Sequence, residues 1–167
     1  MLTAREKIGQ LMFIGLQGPE LLPEERKFIL HNAIGGVILF GRNINDVVTL
    51  SKLMHDLHDL KKSLPTPLFI GIDMEGGRVQ RLKEPFTIWP SVQKVGELDS
   101  ATIAFDFAES MGRELAAIGI NLNFAPSCDI LTNPQNKVIG DRSPGSDVEH
   151  VAKISSAIAR GYIKSGI

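Results

Sequence analysis

The chain has 167 residues, 43% of them hydrophobic, with 18 basic and 19 acidic residues and a formal net charge of −1. That near-balance lacks the concentrated basic face that nucleic-acid and membrane-surface partners favour, and no apolar run approaches the about 20 residues of a membrane span. The single cysteine, Cys128, excludes an intrachain disulfide, and residues 1–9 carry Arg5 and Lys7 without a signal-peptide core, so the expectation is a cytoplasmic, soluble domain with no nucleic-acid or membrane partner.

Residues 11–16 are an apolar run and predict a first strand. Pro23 stands where a helix can begin, because its missing N–H costs nothing in the first turn, and Glu24 and Glu25 follow at the positive end of the helix dipole. Phe28, Ile29 and Leu30 give that helix a short apolar face, and Gly35 and Gly36 end the unit. Residues 37–40 predict a second strand, with Gly41, Arg42 and Asn43 at its tip. Val47, Leu50, Met54 and Leu57 recur at steps of three and four and predict a helix over 46–60, closed off by Pro65 and Pro67.

Residues 68–72 predict a third strand, which ends abruptly in Asp73 and Glu75, two glycines and two arginines, Arg78 and Arg81. A long connection over 82–98 holds Pro85, Trp89, Pro90 and Gly96, more than a plain strand-to-helix loop needs. Asp99 or Ser100 is placed to cap a helix whose stripe is Ala104, Phe107, Ala108, Met111, Leu115 and Ile118, with Gly119 as the left-handed residue after it. Residues 120–125 predict a fourth strand, and a second long loop runs to Gly145. Ser146 with Glu149 forms a capping-box pattern before a last amphipathic helix through Val148, Val151, Ile158 and Tyr162, and Gly166 reads as its stop.

Four strand-helix modules mean a parallel sheet with helices packed outside it, an α/β fold. They amount to about half of an eight-module barrel of the TIM type, which takes about 250 residues, so the expected architecture is a truncated (β/α) barrel; a small open sheet is the alternative. A half barrel leaves its outer strands unpaired, which predicts a tendency to self-association.

In α/β folds ligands sit beyond the carboxyl ends of the strands, where Asp73, Glu75, Arg78 and Arg81 fall, with Asp129, Asn133, Asp141 and Arg142 after the fourth strand. Carboxylates that accept from hydroxyl pairs and guanidinium forks that donate suit a polyhydroxylated ligand. For Asp73, Arg81 and Arg142 two readings stand side by side, a ligand grip or ion pairs that hold loops; for Glu75, Arg78, Asp129 and Asp141 the loop-holding role is favoured. His31, His55, His58 and His150 fall on or near helices without a second element at ligand spacing, so no metal site is expected. Cys128 has no neighbouring histidine to activate it and reads as a small buried residue. No phosphate-loop or dinucleotide glycine pattern is present, and no cofactor is expected.

The run Asp73-Met74-Glu75-Gly76-Gly77-Arg78-Val79-Gln80-Arg81 resembles the D-x-E-G-G-R-V-x-R signature of glycoside hydrolase family 3. Asn123-Phe124-Ala125-Pro126 through Asp129, the segment Ile139-Gly140-Asp141-Arg142-Ser143, and the Gly35-to-Phe40 run with Arg42-Asn43 resemble further segments of that family, in the same order. The nearest subgroup in pattern is the bacterial β-N-acetylhexosaminidases of cell-wall recycling. The resemblance implies an eight-stranded (β/α) barrel of which residues 1–167 are the N-terminal half, the remainder lying outside this chain. It implies a retaining exo-hydrolase acting on terminal β-linked N-acetylglucosamine in peptidoglycan-derived muropeptides, with Asp73, Arg81 and Arg142 binding the sugar. In that subgroup a histidine paired with an aspartate on a mobile loop is the acid/base. The family's Lys-His motif, that loop and the nucleophilic aspartate all lie downstream of a helix like the last one here, so no catalytic residue is expected within the chain and it is expected to be inactive by itself. Pro144 departs from the phenylalanine usual after Arg-Ser. Two other readings remain open: a β-glucosidase of the same family, and a half barrel that binds sugar or self-assembles without catalysis.

Overall fold

Parallel strand pairing organises the first of two compact units, Met1–Ile72 with Ile118–Leu122; the second is Asp73–Ala117 with Asn123–Ile167. The computed structural model describes residues 1–167 throughout. In chain order the elements begin α1 (Ala4–Gly9), β1 (Phe13–Gly15), α2 (Pro23–Asn32), β2 (Gly36–Leu39), α3 (Val47–Asp59) and β3 (Phe69–Ile72). They continue β4 (Met74–Gly76), β5 (Val79–Gln80), α4 (Val92–Glu97), α5 (Ala101–Ala117), β6 (Leu122–Asn123) and α6 (Val148–Lys164).

The four-stranded sheet runs β1-β2-β3-β6, and β2 is parallel to both β1 and β3. The parallel α/β expectation therefore holds. Val37, Leu39, Ile70 and Ile72 are all but fully buried, as are Ile29 of α2 and Leu50, Leu53 and Leu57 of α3, and together they make the unit's core. The register aligns Phe13, Gly36 and Phe69 across three strands. A Cβ on Gly36 would stand 2.2 Å from the Phe13 ring, which would have to move aside. The two rings stack over it with centroids 6.1 Å apart.

Helix α2 begins at Pro23 as expected, and Asp46 caps α3 by accepting from the Thr49 N–H at 2.9 Å. Helix α1 was not signalled by an apolar stripe. Its start is a capping box, in which Glu6 Oε2 accepts from the Thr3 N–H at 2.7 Å and Thr3 Oγ1 accepts from the Glu6 N–H at 3.3 Å. The fourth strand shrinks from the expected six residues to Leu122–Asn123. The reason is visible at Asn121: its side chain accepts from the Ile70 N–H at 2.7 Å and donates to the Leu68 carbonyl at 3.1 Å, so an amide side chain replaces part of the ladder.

The second unit is built on α5 against α6. Ala104, Ala108, Met111 and Leu115 face Ile154, Ala157, Ile158 and Tyr162 as buried stripes. The connection expected as a loop over 82–98 contains α4, whose Gly96 lies against Pro144: a Cβ there would stand 2.2 Å from the Pro144 carbonyl. Asp147, not Ser146, caps α6, accepting from the His150 N–H at 2.8 Å. Asp99 turns the chain between α4 and α5 in the left-handed region, at φ 48°, and its carboxylate takes Lys153 Nζ at 2.9 Å. That ammonium holds the Asp99 carboxyl below its ordinary range. Cys128 corrects the sequence reading: it is exposed, and it lines an apolar groove of about 360 Å³ with Ile130 and the outer face of α6, because no element of the unit covers it.

Close approach of α5 and α6 is set by Gly161, where a Cβ would meet Phe105 O at 2.4 Å and Glu109 N at 2.9 Å, backbone atoms that cannot step aside. Overpacking of this kind costs about 1–3 kcal/mol, more than the roughly 1 kcal/mol a helix gains from Gly→Ala. Gly161→Ala is expected to lower the urea midpoint of unfolding. Gly18→Ala, where a Cβ meets nothing within 4 Å, is expected to leave it within about 0.5 kcal/mol of the parent.

Candidate functional site

The polar tip after β3 is a hairpin. Strand β4 pairs antiparallel with β5 in the register Met74↔Gln80 and Gly76↔Val79. Gly76 and Gly77 turn it with φ of 91° and 56°, a conformation that side chains other than glycine rarely adopt. One step outward from the Met74↔Gln80 pair stand Asp73 and Arg81. The hairpin thus brings two residues eight apart in sequence side by side, and Arg81 Nη2 donates to Asp73 Oδ2 at 3.0 Å. Their side chains are 25% and 30% exposed, wet enough to meet a ligand and dry enough for charge-assisted hydrogen bonds to matter.

Arg81 is incompletely partnered. Its Nε is buried and has no hydrogen-bond partner. An unsatisfied buried donor on a charged group costs on the order of 1–3 kcal/mol.

Met74, between Asp73 and Glu75, is clamped at both backbone atoms. Asn123 Oδ1 accepts from the Met74 N–H at 3.0 Å, and Asn123 Nδ2 donates to the Met74 carbonyl at 2.8 Å. The Tyr162 hydroxyl of α6 lies 3.3 Å from the same carbonyl. Burial pushes the Tyr162 phenol well above its ordinary range, so it stays a neutral donor. Asn123 and Tyr162 were not singled out from the sequence as site residues. The signal available was Asn121 and Asn123 at strand spacing in an otherwise apolar run.

Glu75 points the other way, into the unit, with a side chain only 4% exposed. Arg142 reaches it from the far loop in a two-pronged bond, Nε to Oε2 at 2.9 Å and Nη2 to Oε1 at 2.7 Å. Hydrogen bonding to Glu75 raises the Arg142 pKa further above its ordinary value, with Asp129 and Asp73 adding to the negative field. A short 3₁₀ turn, Gly140–Arg142, aims the arginine. Arg78 pins that loop beside it: Nε pairs with Asp141 Oδ1 at 2.7 Å, and Nη2 donates to the Val138 and Ile139 carbonyls at 2.6 and 2.9 Å. Glu75, Arg78 and Asp141 therefore take the loop-holding role. Asp129 accepts from the Ser127 hydroxyl at 2.7 Å, while its carbonyl lies 2.7 Å from the buried Ser143 hydroxyl. Asn133 holds only its own turn, accepting from the Gln135 N–H at 2.9 Å. Pro144, for all its departure from the family pattern, is buried and leaves Arg142 delivered to Glu75.

Removing the guanidinium strands a buried carboxylate, which costs about 3–5 kcal/mol. Arg142→Ala is expected to destabilise the chain by that amount in urea unfolding, and adding Glu75→Gln is expected to recover part of it. Additive losses in the double variant would refute the pair.

Three comparisons bear on this hairpin and loop. The sequence profile of the glycosyl hydrolase family 3 N-terminal domain matches residues 3–167. A beta-hexosaminidase of Glaesserella parasuis serovar 5 (strain SH0165) is 36% identical over 157 residues, covering 94% of this chain and 45% of that protein. The chain spans about half the length of the curated relatives it matches. Among solved structures, a glycoside hydrolase family 3 beta-N-acetylglucosaminidase from Paenibacillus sp. str. FPU-7 superposes with a TM-score of 0.94 at 40% identity, covering all of this chain and 32% of that one. NagZ from Neisseria gonorrhoeae, solved in complex with N-trifluoroacetyl-D-glucosamine, gives a TM-score of 0.84 at 33% identity over 93% of this chain and 48% of that one. A profile matched along almost the whole chain, together with the Asp73–Arg81 hairpin and the Arg142 loop that its motifs build, places the chain in glycosyl hydrolase family 3, within that family's N-terminal domain.

Proposed function

We propose that this chain carries the sugar-gripping part of a retaining exo-glycosidase that removes terminal β-linked N-acetylglucosamine from peptidoglycan-derived muropeptides in the cytoplasm. The observation that carries the reading is the Asp73–Arg81 pair: a carboxylate acceptor and a guanidinium donor, each part-exposed and set on a braced hairpin, suited to neighbouring sugar hydroxyls. Arg142 completes the set of substrate-binding residues from the far loop. The relatives support the sugar, being beta-hexosaminidases by name, one of them solved with an N-acylated glucosamine. No helix is long and apolar enough to cross a membrane.

The reacting groups are the part not supplied here. His31, His55 and His58 belong to the first unit, while His150, in the second, is engaged by Asp99 at 3.2 Å. On this reading the 167 residues bind the sugar without hydrolysing it, since a covalent glycosyl intermediate needs a nucleophile and a separate acid/base.

Incubated with a chromogenic β-N-acetylglucosaminide, the chain is expected to release no aglycone and to bind N-acetylglucosamine in preference to glucose. Asp73→Ala is expected to weaken that binding about 10- to 100-fold, the worth of a charged hydrogen bond. Steady or burst release that Asp73→Ala abolishes would refute the division between grip and chemistry. A preference for glucose would move the assignment to a β-glucosidase.

A further inference from the structure

The segment following Arg81 is held by a set of bonds that the grip itself does not explain. The Gly77 N–H donates to the Trp89 carbonyl at 2.9 Å, and a Cβ on Gly76 would stand 2.2 Å from the Pro90 carbonyl, so residues 89–91 brace the glycine turn of the hairpin. Two side chains hold the brace. Gln80, 4% exposed, uses every hydrogen-bonding group of its amide except one lone pair: Nε2 donates to Leu82 O at 2.9 Å and to Thr87 O at 2.8 Å, and Oε1 accepts from the Trp89 N–H at 2.9 Å. The bond from Gln80 to Leu82 closes a ring over the residue between them, which is Arg81. From α5, Glu114 grips the far side: Oε1 accepts from the Thr87 N–H at 3.1 Å and its hydroxyl at 2.7 Å, and Oε2 accepts from Trp89 Nε1 at 3.1 Å. The Trp89 ring stands edge-on to Phe107, with centroids 5.5 Å apart.

We propose that Gln80 and Glu114 are positioning residues for Arg81: together they strap residues 82–91 against the Gly76-Gly77 turn, and that strap sets where the Arg81 guanidinium stands beside Asp73. The inference rests on the reading of Asp73 and Arg81 as the sugar grip. Its chemistry is acceptor matching. Glu114 receives three donors on two oxygens, a task an amide of the same shape cannot perform, because its NH₂ would face a donor at either position.

Trp89 is the only tryptophan of the chain, so its emission reports on the strap alone. The test compares the parent chain with Glu114→Gln, with Trp89→Phe, which keeps a ring and deletes the Nε1 donor, and with the control Glu109→Gln on the same helix, whose partner is Arg113 at 2.7 Å. Three quantities are read: Trp89 emission where the tryptophan remains, the Arg81 Nε–H resonance without ligand, and the Kd for N-acetylglucosamine. Glu114→Gln is expected to red-shift the emission, move the Arg81 resonance and weaken binding about 10-fold, as loss of a charged acceptor implies. Trp89→Phe is expected to move the same resonance and Kd by less, and Glu109→Gln to move nothing. A changed emission with Arg81 and Kd unchanged would show a strap that holds the loop only, overturning the proposal. Failure of the parent to bind N-acetylglucosamine would overturn the sugar reading instead, and the Arg81 resonance would then decide the strap by itself.

Discussion

A carboxylate buried on one strand of a short hairpin is the constraint on which the rest of the second unit depends. Glu75 is 3% exposed, and a buried carboxylate without a partner is costly, because desolvation of an unpaired charge is not repaid. The partner comes from 67 residues further on, as the two-pronged bond from Arg142. Meeting that demand shapes a loop with no long regular element of its own. The Gly140–Arg142 turn aims the guanidinium, Arg78 and Asp141 tie the turn to the hairpin, and Pro144 backs onto Gly96 of α4. Arginine rather than lysine fits here, because only a planar fork satisfies both carboxylate oxygens at once.

The same hairpin works outward. Its register makes Asp73 and Arg81 neighbours, and Asn123 and Tyr162 fix the Met74 backbone from which Asp73 departs. The hairpin therefore presents an inward carboxylate that holds a distant loop and, two residues away, a part-exposed carboxylate paired with Arg81, the pair proposed as the sugar grip. Regular strand alternation would put residues 73 and 75 on one face; the register shift in the pairing between Met74 and Gly76 breaks that alternation and separates their roles. The strap from Gln80 and Glu114 continues the logic, since rigid support is what lets a two-residue grip hold a defined geometry.

Much of the fold was legible in the sequence. Strands β2 and β3 and helices α2, α3, α5 and α6 announce themselves by apolar runs or stripes and by capping residues. The misses share a cause, namely side chains doing the work of backbone or local signals outvoting periodicity. Helix α1 has a capping box but no stripe, and α4 is six residues long within a segment rich in loop formers. Strand β6 is short because asparagine side chains take over ladder bonds that an apolar pattern attributes to the backbone. At the site, the chemistry-bearing types were visible and their pairing was not. Nothing in the spacing of Glu75 and Arg142 says that they meet, whereas Asp73 and Arg81 meet through a hairpin that the Gly-Gly pair only hints at. The exposed position of Cys128 reflects the apolar groove beside it, a property of how α6 and the loop lie and not of the cysteine's neighbours in sequence.

The most direct measurement is a titration of the isotope-labelled 167-residue chain with N-acetylglucosamine, followed by backbone and arginine side-chain resonances. The account predicts saturable shifts concentrated on residues 73–81 and on Arg142, with the Arg81 side chain among those that move. Shifts confined to the apolar groove on α6, or none at all, would contradict it.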